Sequence, residues 1–577
     1  MKLLKRLLMT LIILSTILIQ PIAYAKEKDT SQFLDTYYQE HSEISVGMAI
    51  SLRKENQGIT NYYGYEDKEN KQKTSELSAF EWGSVSKILV WTSVLQQVEQ
   101  GKIDLTKDVT KYFPNHEIQL EQKVTMLDLM HHRGGFEDIL VGLFDNPDKK
   151  MKPLLQVLQE TQPEQIYPPG EITSYSNWGT ALAAYVVECT SGKTFYDYVQ
   201  QNIFIPLKMT HTALRPDLAD NQWVKKQRNQ MQGYTSNGQL IKNNRRSIPL
   251  YPAGMATGTL DDLQLFVDGL LQIDSGLFEK EQTYRDLFSA SIYYDKMENF
   301  PYIAHGFWAH YFEDGIYYGH GGNTASQTSY VLLNPQTKSS LIIMANQKNE
   351  TVYTGDLPVK LLGQYAFDKQ ADSPSSESYH LFSARNKINH SFTPLMLLLS
   401  GTSFSVKDNQ LALYDYQADK IADDLYLLDG IIYQVTKDSA GNVKITTNYT
   451  DYIEIEKSAI YTSYALLAIW GIVIVLAVGL LVAILIKRVK SLKRILSLLL
   501  LLAGVAACGV LINQALNVMD KNVLSITASL SCAATILSFV LGISLVLRER
   551  KLRTVIYLML PLIQLMMLLY FQLTLLF

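Results

Sequence analysis

The sequence predicts an α+β protein in which an antiparallel sheet, formed from both ends of one domain, encloses a largely helical insertion. Alternating apolar residues, which are typical of strands, occur over residues 44–65 and again between 306 and 346. Mainly helical patterns with long loops occupy the intervening residues, from about 101 to 283. A β-rich stretch and then four long apolar segments follow, which predicts a small second module and a four-helix membrane region.

Composition and motif content exclude several classes of function. The 577 residues carry a net charge of −4, so the chain lacks the basic surplus of a nucleic-acid-binding protein. The sequence has no HExxH motif and no paired CxxC motifs, and we therefore expect no metal ion or other cofactor. Outside the apolar C-terminal segments Cys189 stands alone, which leaves no internal disulfide for that part of the chain.

The first residues are typical of a secretory signal. Basic residues open the chain, an apolar run covers residues 7–19, and an Ala-x-Ala motif ends the segment at residue 25. We therefore expect residues 1–25 to be a signal peptide and residues 26–370 to form the exported domain. An uncleaved N-terminal anchor remains the alternative.

The chemistry begins just after the first strands. Ile44–Leu52 and Ile59–Tyr65 alternate around a polar break, which predicts an antiparallel hairpin. Ser84 and Lys87 then stand three positions apart at the start of an apolar run, and on a helix they share one face. A serine hydroxyl needs a neighbour that takes its proton, and a buried lysine with a lowered pKa can do so. Near a helix N-terminus, the backbone N–H of Ser84 would also point toward a developing oxyanion.

A second polar pair precedes the next apolar helical run. Tyr175 and Asn177 stand two positions apart after a Pro-Pro-Gly turn, and a short turn can project both side chains into one cleft. A tyrosine whose proton is drawn off by nearby cations can act as base and then as acid for a leaving group, and an asparagine can donate to a substrate carbonyl. Taken alone, the pair also fits a turn tyrosine and a helix-capping asparagine.

A glycine-rich strand end carries the third pattern, His320-Gly321-Gly322-Asn323. The glycines allow a substrate backbone to approach the strand. The N–H of Asn323 could be the second oxyanion donor, and His320 could donate to an anion or tune Tyr175. By itself this strand end is a weak signal, so the three patterns have to be considered together.

In their order and separation the three patterns resemble those of the serine β-lactamase and penicillin-binding-protein-like hydrolases, in particular the branch with class C β-lactamases, D-amino-acid-releasing peptidases and esterases. The resemblance covers roughly Phe33 to Ala366 and implies a β-lactamase-like fold. It implies that Ser84 is the acylated nucleophile, that Lys87 accepts its proton and that Tyr175 is a second base and acid. The other implied roles are substrate contacts at Asn177, Gly321 and Gly322, a catalytic third-motif position at His320, and an oxyanion hole formed by the N–H groups of Ser84 and Asn323.

Departures from the family pattern narrow the expected chemistry. The third motif begins with His320 where typical penicillin-recognising members have lysine, and histidine there is found in peptidase and esterase members. Gly134 replaces a usual serine and Lys208 a usual glycine. The resemblance therefore favours peptidase or esterase chemistry over β-lactam hydrolysis. We expect His131 and His132 to be structural.

Two segments follow the exported domain before the membrane region. Residues 371–378 are polar and predict a linker, and residues 379–457 predict a small β-rich extracellular module. None of the side chains in this module suggests chemistry. The apolar run 394–399 is too short to span a bilayer, and we expect it to pack in a core or at an interface.

The last segment, residues 458–577, contains four apolar stretches that are each long enough to cross the hydrocarbon core. The loops at 487–494 and 548–553 are strongly basic, whereas the loop at 517–522 is not. The positive-inside rule places both basic loops in the cytoplasm and therefore places residues 26–457 outside, in agreement with the predicted signal peptide. The spans carry almost no charge, which favours an anchor over a transport path.

The sequence thus predicts a multi-pass membrane protein whose catalytic domain lies on the extracellular face. We expect a serine hydrolase that acts through an acyl-enzyme on D-alanyl ester or amide bonds of cell-wall polymers, or on related small esters and peptides. The expected partners are that polymer or small D-alanyl substrate and the lipid bilayer, with no nucleic acid. Two alternatives remain open, namely a catalytically silent wall sensor or binding module and a class C-like β-lactamase. The sequence does not determine an oligomeric state.

Overall fold

A computed structural model describes most of the chain, and the predicted signal peptide and the apolar run 394–399 lie outside the described residues. Of the predicted linker, residues 371–375 also lie outside, and a strand begins at Ser376. The described residues are 29–54, 57–138, 143–147, 149–367, 376–385, 401–438, 441–454, 457–487, 491–517 and 521–570.

Residues 29–367 form the main domain, in which strands lie at both ends and most helices between them. Its helices are α1 29–40, α2 Lys87–Glu99, α3 Met126–Met130, α4 Leu154–Glu160, α5 Asn177–Ser191, α6 Phe195–Val199, α7 Gln222–Gln230, α8 Leu260–Leu271, α9 Glu281–Leu287 and α10 Leu357–Leu362. Its strands are β1 Gly47–Lys54, β2 Gln57–Asp67, β3 Gln72–Lys73, β4 Phe80–Glu81, β5 Thr212–Ala213, β6 Thr257–Gly258, β7 Ile292–Tyr293, β8 Pro301–Ala304, β9 Phe307–Phe312, β10 Gly315–Asn323, β11 Thr328–Asn334 and β12 Ser339–Ala345.

The main sheet confirms the prediction that both ends of the domain build one antiparallel sheet. Its strand order is β3-β2-β1-β12-β11-β10-β9-β8-β7, so the first and last strands of the domain pair side by side, with Ile50 opposite Ile343. Helices cover both faces of the central strands, and the sequences of these strands are therefore nearly continuous apolar runs. The larger helical layer covers one face, while α1 and α10 cover the other through residues such as Leu34 and Leu357.

The predicted helix at Ser84 begins slightly later than expected. Residues Gly83–Ser86 form one 3₁₀ turn, and α2 starts at Lys87 and runs through the centre of the core with Leu89, Trp91 and Val94 fully buried. Burial on all sides holds this helix, and therefore the turn that precedes it, in one position.

The described residues 376–385, 401–438 and 441–454 form a closed antiparallel barrel, the barrel module, where the sequence predicted a β-rich module. Its interior is apolar, with Leu381, Phe404, Leu411 and Ile445 buried. One outer face packs on the main domain, because Ile432 and neighbouring apolar residues join the main core. Its strands, in barrel order, are β13 Ser376–Ser383, β14 Thr402–Lys407, β15 Gln410–Leu413, β16 Tyr416–Ala422, β17 Leu425–Leu428, β18 Ile431–Lys437, β19 Val443–Thr446 and β20 Asp451–Ile453.

The C-terminal region contains the four predicted apolar helices, which are α11 Lys457–Ile486, α12 Leu492–Asn517, α13 Lys521–Glu549 and α14 Ile556–Tyr570. Within the described residues, the stretches long and apolar enough to cross a membrane are Tyr464–Ile486, Leu492–Leu511, Ile526–Glu549 and Leu552–Leu569. Polar side chains join the helices, for example Ser531, whose hydroxyl donates to the Gly504 carbonyl at 2.7 Å. Such contacts satisfy polar groups that lipid could not.

Candidate active site

The structure brings the first and second sequence patterns together around the Ser84 hydroxyl. The Lys87 amine nitrogen lies 3.1 Å from Ser84 Oγ, and it also lies 2.8 Å from Asn177 Oδ1 and 2.7 Å from the Ala253 carbonyl oxygen. Lys87 is fully buried. Asn177 is the first residue of α5, and the N-cap residue Ser176 fixes the start of that helix by accepting the Gly179 N–H.

The protonation state of Lys87 decides what this geometry can do. Burial holds the pKa of Lys87 well below its usual value; the negative charge of Asp138 opposes this shift and the positive charge of Arg385 adds to it. A neutral amine has two hydrogens and one lone pair. In the neutral form the oxygens of Asn177 and Ala253 can accept both hydrogens, which leaves the lone pair for the Ser84 hydroxyl. The arrangement suits removal of the serine proton.

Tyr175 lies on the other side of the same hydroxyl. Its O–H donates to Ser84 Oγ at 2.8 Å. The Lys87 amine nitrogen and the Arg385 guanidinium lie 4.7 and 5.3 Å from the ring centroid, so one cationic group, that of Arg385, faces the ring. Burial nevertheless dominates and raises the pKa of Tyr175. The phenol therefore carries its proton at neutral pH, and the resting site contains a hydrogen-bonded chain from Tyr175 through Ser84 to Lys87.

The glycine-rich end of β10 packs directly against the Ser84 turn. Gly83 has a φ of +50°, and a Cβ added there would lie 2.8 Å from the Asn323 nitrogen. A Cβ added at Gly322 would lie 2.1 Å from the Trp82 carbonyl oxygen and 3.1 Å from the Ser84 nitrogen. Only glycine allows this approach. The backbones of Ser84 and Asn323, the predicted oxyanion donors, therefore lie next to each other where the Ser84 turn meets the end of β10.

His320 lies beside the site as a neutral side chain. Its ring stacks on Trp308 with the centroids 3.9 Å apart, and its ring centroid lies 6.1 Å from that of Tyr175. Burial, followed by the charge of Lys87, lowers the pKa of His320 to about 3. Its Nδ1 lies 2.5 Å from the Gly321 carbonyl oxygen, which can only accept, so Nδ1 carries the proton and Nε2 is an acceptor. The suggestion that His320 donates to an anion therefore does not fit the resting site.

Three residues that the sequence patterns did not mark also surround Tyr175. The His132 ring lies 4.4 Å from the Tyr175 ring, and its Nδ1 accepts the Ser176 N–H at 3.2 Å. Asp138 forms a buried ion pair with Arg385, which belongs to the barrel module. Arg385 thus lies beside Tyr175, although no side chain of the module suggested chemistry in the sequence. The one sequence signal that could have placed His132 near the site is its position two residues before Gly134-Gly135. Arg385 belongs to none of the motifs, so the sequence offered no signal for it.

The histidines of this region lead to a prediction about acid stability. Burial lowers the pKa values of His131, His310 and His320 to about 3 each. In the unfolded chain these groups take up protons below pH ~6.5, whereas in the folded protein they do so only near pH 3. The free energy of unfolding should therefore fall as the pH falls through that window, by on the order of several kcal/mol in sum. Denaturation of the full chain in detergent at a series of pH values measures this loss.

A pair of variants tests the assignment to buried histidines. His310→Gln should make the pH dependence shallower, because it removes one buried group, whereas His116→Gln should leave it unchanged because His116 is exposed. An equal slope in wild type and His310→Gln would contradict the prediction.

Comparisons with known proteins agree on one family. The family model described as Beta-lactamase matches residues 34–364. Protein flp of Staphylococcus aureus strain MRSA252 is 23% identical over 334 residues, which are 56% of this chain and 64% of that protein. The putative penicillin-binding protein PbpX of Bacillus subtilis strain 168 is 27% identical over 191 residues, which are 33% of this chain and 46% of that protein. The chain thus spans less than two thirds of the length of these relatives.

Solved structures agree in fold. The crystal structure of SurE with D-Leu matches 75% of this chain over 100% of the SurE chain, with a TM-score of 0.51 and 17% sequence identity.

Among the described residues, no group of three or more histidine, cysteine, aspartate or glutamate side chains could hold a metal ion.

Proposed function

The chain belongs to the β-lactamase family, and we propose that it is a membrane-anchored serine hydrolase that forms an acyl-enzyme on Ser84. The observation that carries this proposal is the position of the buried Lys87 amine, which lies 3.1 Å from Ser84 Oγ and within hydrogen-bond distance of the Asn177 and Ala253 oxygens. A protein that only binds a ligand does not require a buried lysine with a lowered pKa beside a serine. The silent alternative is therefore the less favoured one.

The reaction follows from these contacts. Lys87 takes the proton of Ser84 as Oγ attacks the substrate carbonyl, and the N–H groups of Ser84 and Asn323 stabilise the oxyanion. Tyr175, which holds its proton in the resting site, donates it to the leaving oxygen or nitrogen as the bond to the carbonyl carbon breaks. The Lys87 ammonium then gives the proton that it took from Ser84 to the Tyr175 phenolate, since the acylated Oγ has no proton to pass on. A water molecule attacks the acyl-enzyme, the same groups move its protons, and Ser84 is released.

We assign D-alanyl ester or amide bonds of cell-wall polymers, or related small esters and peptides, as the substrates. Two observations support this class. The neutral His320 leaves the third-motif position without the positive charge that a lysine there would supply, which favours peptidase or esterase chemistry over β-lactam hydrolysis. Asn177, whose Oδ1 is bound to Lys87, presents its amide nitrogen as the donor that a substrate carbonyl would meet.

The placement of the site relative to the bilayer suits a polymer at the cell surface. Strand β20 of the barrel module ends at Ile453 and α11 begins at Lys457, so residues 454–456 alone connect the module to the first apolar helix. Exposed tyrosines at 461 and 464 mark the beginning of this helix, as at a membrane interface. With the basic loops in the cytoplasm, the main domain lies on the extracellular face within a short reach of the bilayer.

Covalent labelling tests the proposed function directly. A membrane-impermeant fluorescent phosphonate should label the wild-type protein on intact cells, because the activated Ser84 attacks phosphorus as it would a carbonyl carbon. Ser84→Ala should abolish labelling, whereas Ser86→Ala, which alters a neighbouring hydroxyl that donates to the Gly83 carbonyl, should remain labelled. Equal labelling of wild type and Ser84→Ala would exclude Ser84 as nucleophile. Labelling that appears only after cell lysis would place the main domain in the cytoplasm.

A further inference from the structure

The barrel module contacts the main domain next to the residues that surround Ser84. Its strand β20 bonds to the turn immediately before Tyr175: the Asp451 N–H donates to the Thr173 carbonyl at 2.8 Å, and the Thr173 N–H donates to the Asp451 carboxylate at 3.2 Å. Ser174 and Thr450 form a β-bridge between these contacts. The backbone just before Tyr175 is therefore tied to the module by a single β-bridge and the two hydrogen bonds of Thr173 with Asp451.

Arg385 makes the second contact, from the residues that follow β13. Its backbone carbonyl accepts the Asp138 N–H at 2.8 Å, and its guanidinium pairs with the Asp138 carboxylate. The same guanidinium lies over the Tyr175 ring, with its central carbon 5.3 Å from the ring centroid. The Asp138 side chain is 1% exposed and that of Arg385 is 27% exposed, so the pair is shielded on the Asp138 side and accessible on the Arg385 side.

Tyr175 is thus enclosed by both parts of the protein. Two rings of the main domain face it: the ring centroids of His132 and Trp308 lie 4.4 and 6.0 Å from that of Tyr175. Arg385 supplies a further contact from the barrel module. An interface that served only to attach the module could rest on uncharged contacts, as it does around Ile432, which joins the main core and whose carbonyl accepts the Tyr294 hydroxyl. A charged pair whose carboxylate is shielded from water is a costly way to hold two domains together, which indicates a use for the charge at this position.

We propose that the barrel module is a structural part of the active site, in which Arg385 is a positioning residue that orients Tyr175 and, with Asp138, balances the charge around Ser84 and Lys87. This inference rests on the proposed hydrolase function. It assigns a role to the module, and it implies that the main domain without the module holds Tyr175 incompletely.

The charge balance gives the proposal a readout that a purely structural contact would not change. The titratable groups around the Lys87 amine are Asp138, Tyr175, His132, His320 and Arg385. Of these, the histidines are neutral because burial lowers their pKa values, and Tyr175 is neutral because burial raises its pKa. The Asp138 charge raises the pKa of Lys87 and the Arg385 charge lowers it. Removing one or the other should therefore move the pKa of Lys87 in opposite directions.

The test measures phosphonate labelling of the full chain in detergent as a function of pH. We expect Arg385→Gln to lower the limiting rate of labelling by roughly ten- to a hundredfold with little change in probe affinity, because Tyr175 loses its orientation. The acidic limb of its pH profile should move to higher pH. The limb of Asp138→Asn should move to lower pH. Arg385→Lys keeps the charge but not the planar group, so it should restore the position of the limb and only part of the rate.

A matched control breaks a module contact away from Tyr175. The Gln434 side-chain N–H donates to the Tyr294 carbonyl at 2.7 Å, and Gln434→Met should leave the rate and the pH profile as in wild type. The proposal would be overturned if the acidic limbs of the Arg385→Gln and Asp138→Asn profiles stayed at the wild-type pH, or if both moved in the same direction. If Arg385→Gln does not fold, the position of the limb in Arg385→Lys and Asp138→Asn decides in the same way. Wild-type protein that is not labelled at all would instead overturn the proposed function, and this inference with it.

Discussion

Replacing Lys87 with methionine is expected to lower turnover of a D-alanyl ester by on the order of 10³-fold or more. Methionine fills a similar volume but removes the lone pair that faces Ser84 at 3.1 Å. The fold should survive. Burial lowers the pKa of Lys87 well below its usual value, so the folded state binds this proton less tightly than the unfolded chain does, and Lys87 itself destabilises the folded state at neutral pH. The substitution removes this destabilisation, which offsets the loss of the hydrogen bonds to Asn177 and Ala253.

Steady-state kinetics and thermal denaturation of the same preparations check this result. Lys107→Met is the matched control, because Lys107 is an exposed partner of Asp104 and should change neither turnover nor melting temperature. A Lys87→Met protein that melts near the wild-type temperature but has lost turnover would support the role of Lys87 as base. Equal turnover in wild type and Lys87→Met would favour the catalytically silent alternative.

Gly322→Ala is the second change with a large expected effect, because the added Cβ would lie 2.1 Å from the Trp82 carbonyl oxygen. The strand end must then move away from the Ser84 turn, which separates the two predicted oxyanion donors. Loss of one such donor costs about 10²- to 10³-fold in turnover. We expect a loss in that range, together with a lower melting temperature, since Ser329 holds the same carbonyl through a hydrogen bond of 2.6 Å.

Gly321→Ala in the same strand provides the comparison. There the added Cβ would meet only the Tyr330 ring, at 3.5 Å, which is an ordinary van der Waals distance. Its melting temperature should match that of wild type, and its turnover should fall far less than that of Gly322→Ala. Equal losses of turnover in the two variants would contradict this explanation. The loss would then come from reduced flexibility of the strand end and not from its displacement from the Ser84 turn.

The family and the core of the site could be predicted from short stretches of sequence. Ser84 and Lys87 are three positions apart, so their proximity follows from the helical turn alone. The predicted range of the family, Phe33 to Ala366, agrees with the matched range 34–364. Alternating and helical patterns likewise predicted the sheet and the four apolar helices, because backbone geometry imposes these periods locally.

The state of the ionisable groups was not predictable in the same way. Burial and the charge of Arg385 act on the pKa of Tyr175 in opposite directions, and only the enclosed position of the ring shows that burial prevails and raises this pKa. His320 follows the same logic, since stacking on Trp308 and full burial keep it neutral. The closure of the β-rich module into a barrel also depended on pairing between β13 and β20, which are far apart in the chain.

By itself the sequence determined the order of the motifs, the secondary structure around them and the division into an α+β domain, a β-rich module and an apolar region. Only the tertiary structure decided which distant residues meet Tyr175, because the contact between Arg385 and Asp138 joins positions 247 residues apart. Local periodicity carries no information about such a contact, which depends on how the module packs against the finished domain. Long-range packing likewise determines solvent exposure, and solvent exposure sets whether Lys87 can accept a proton.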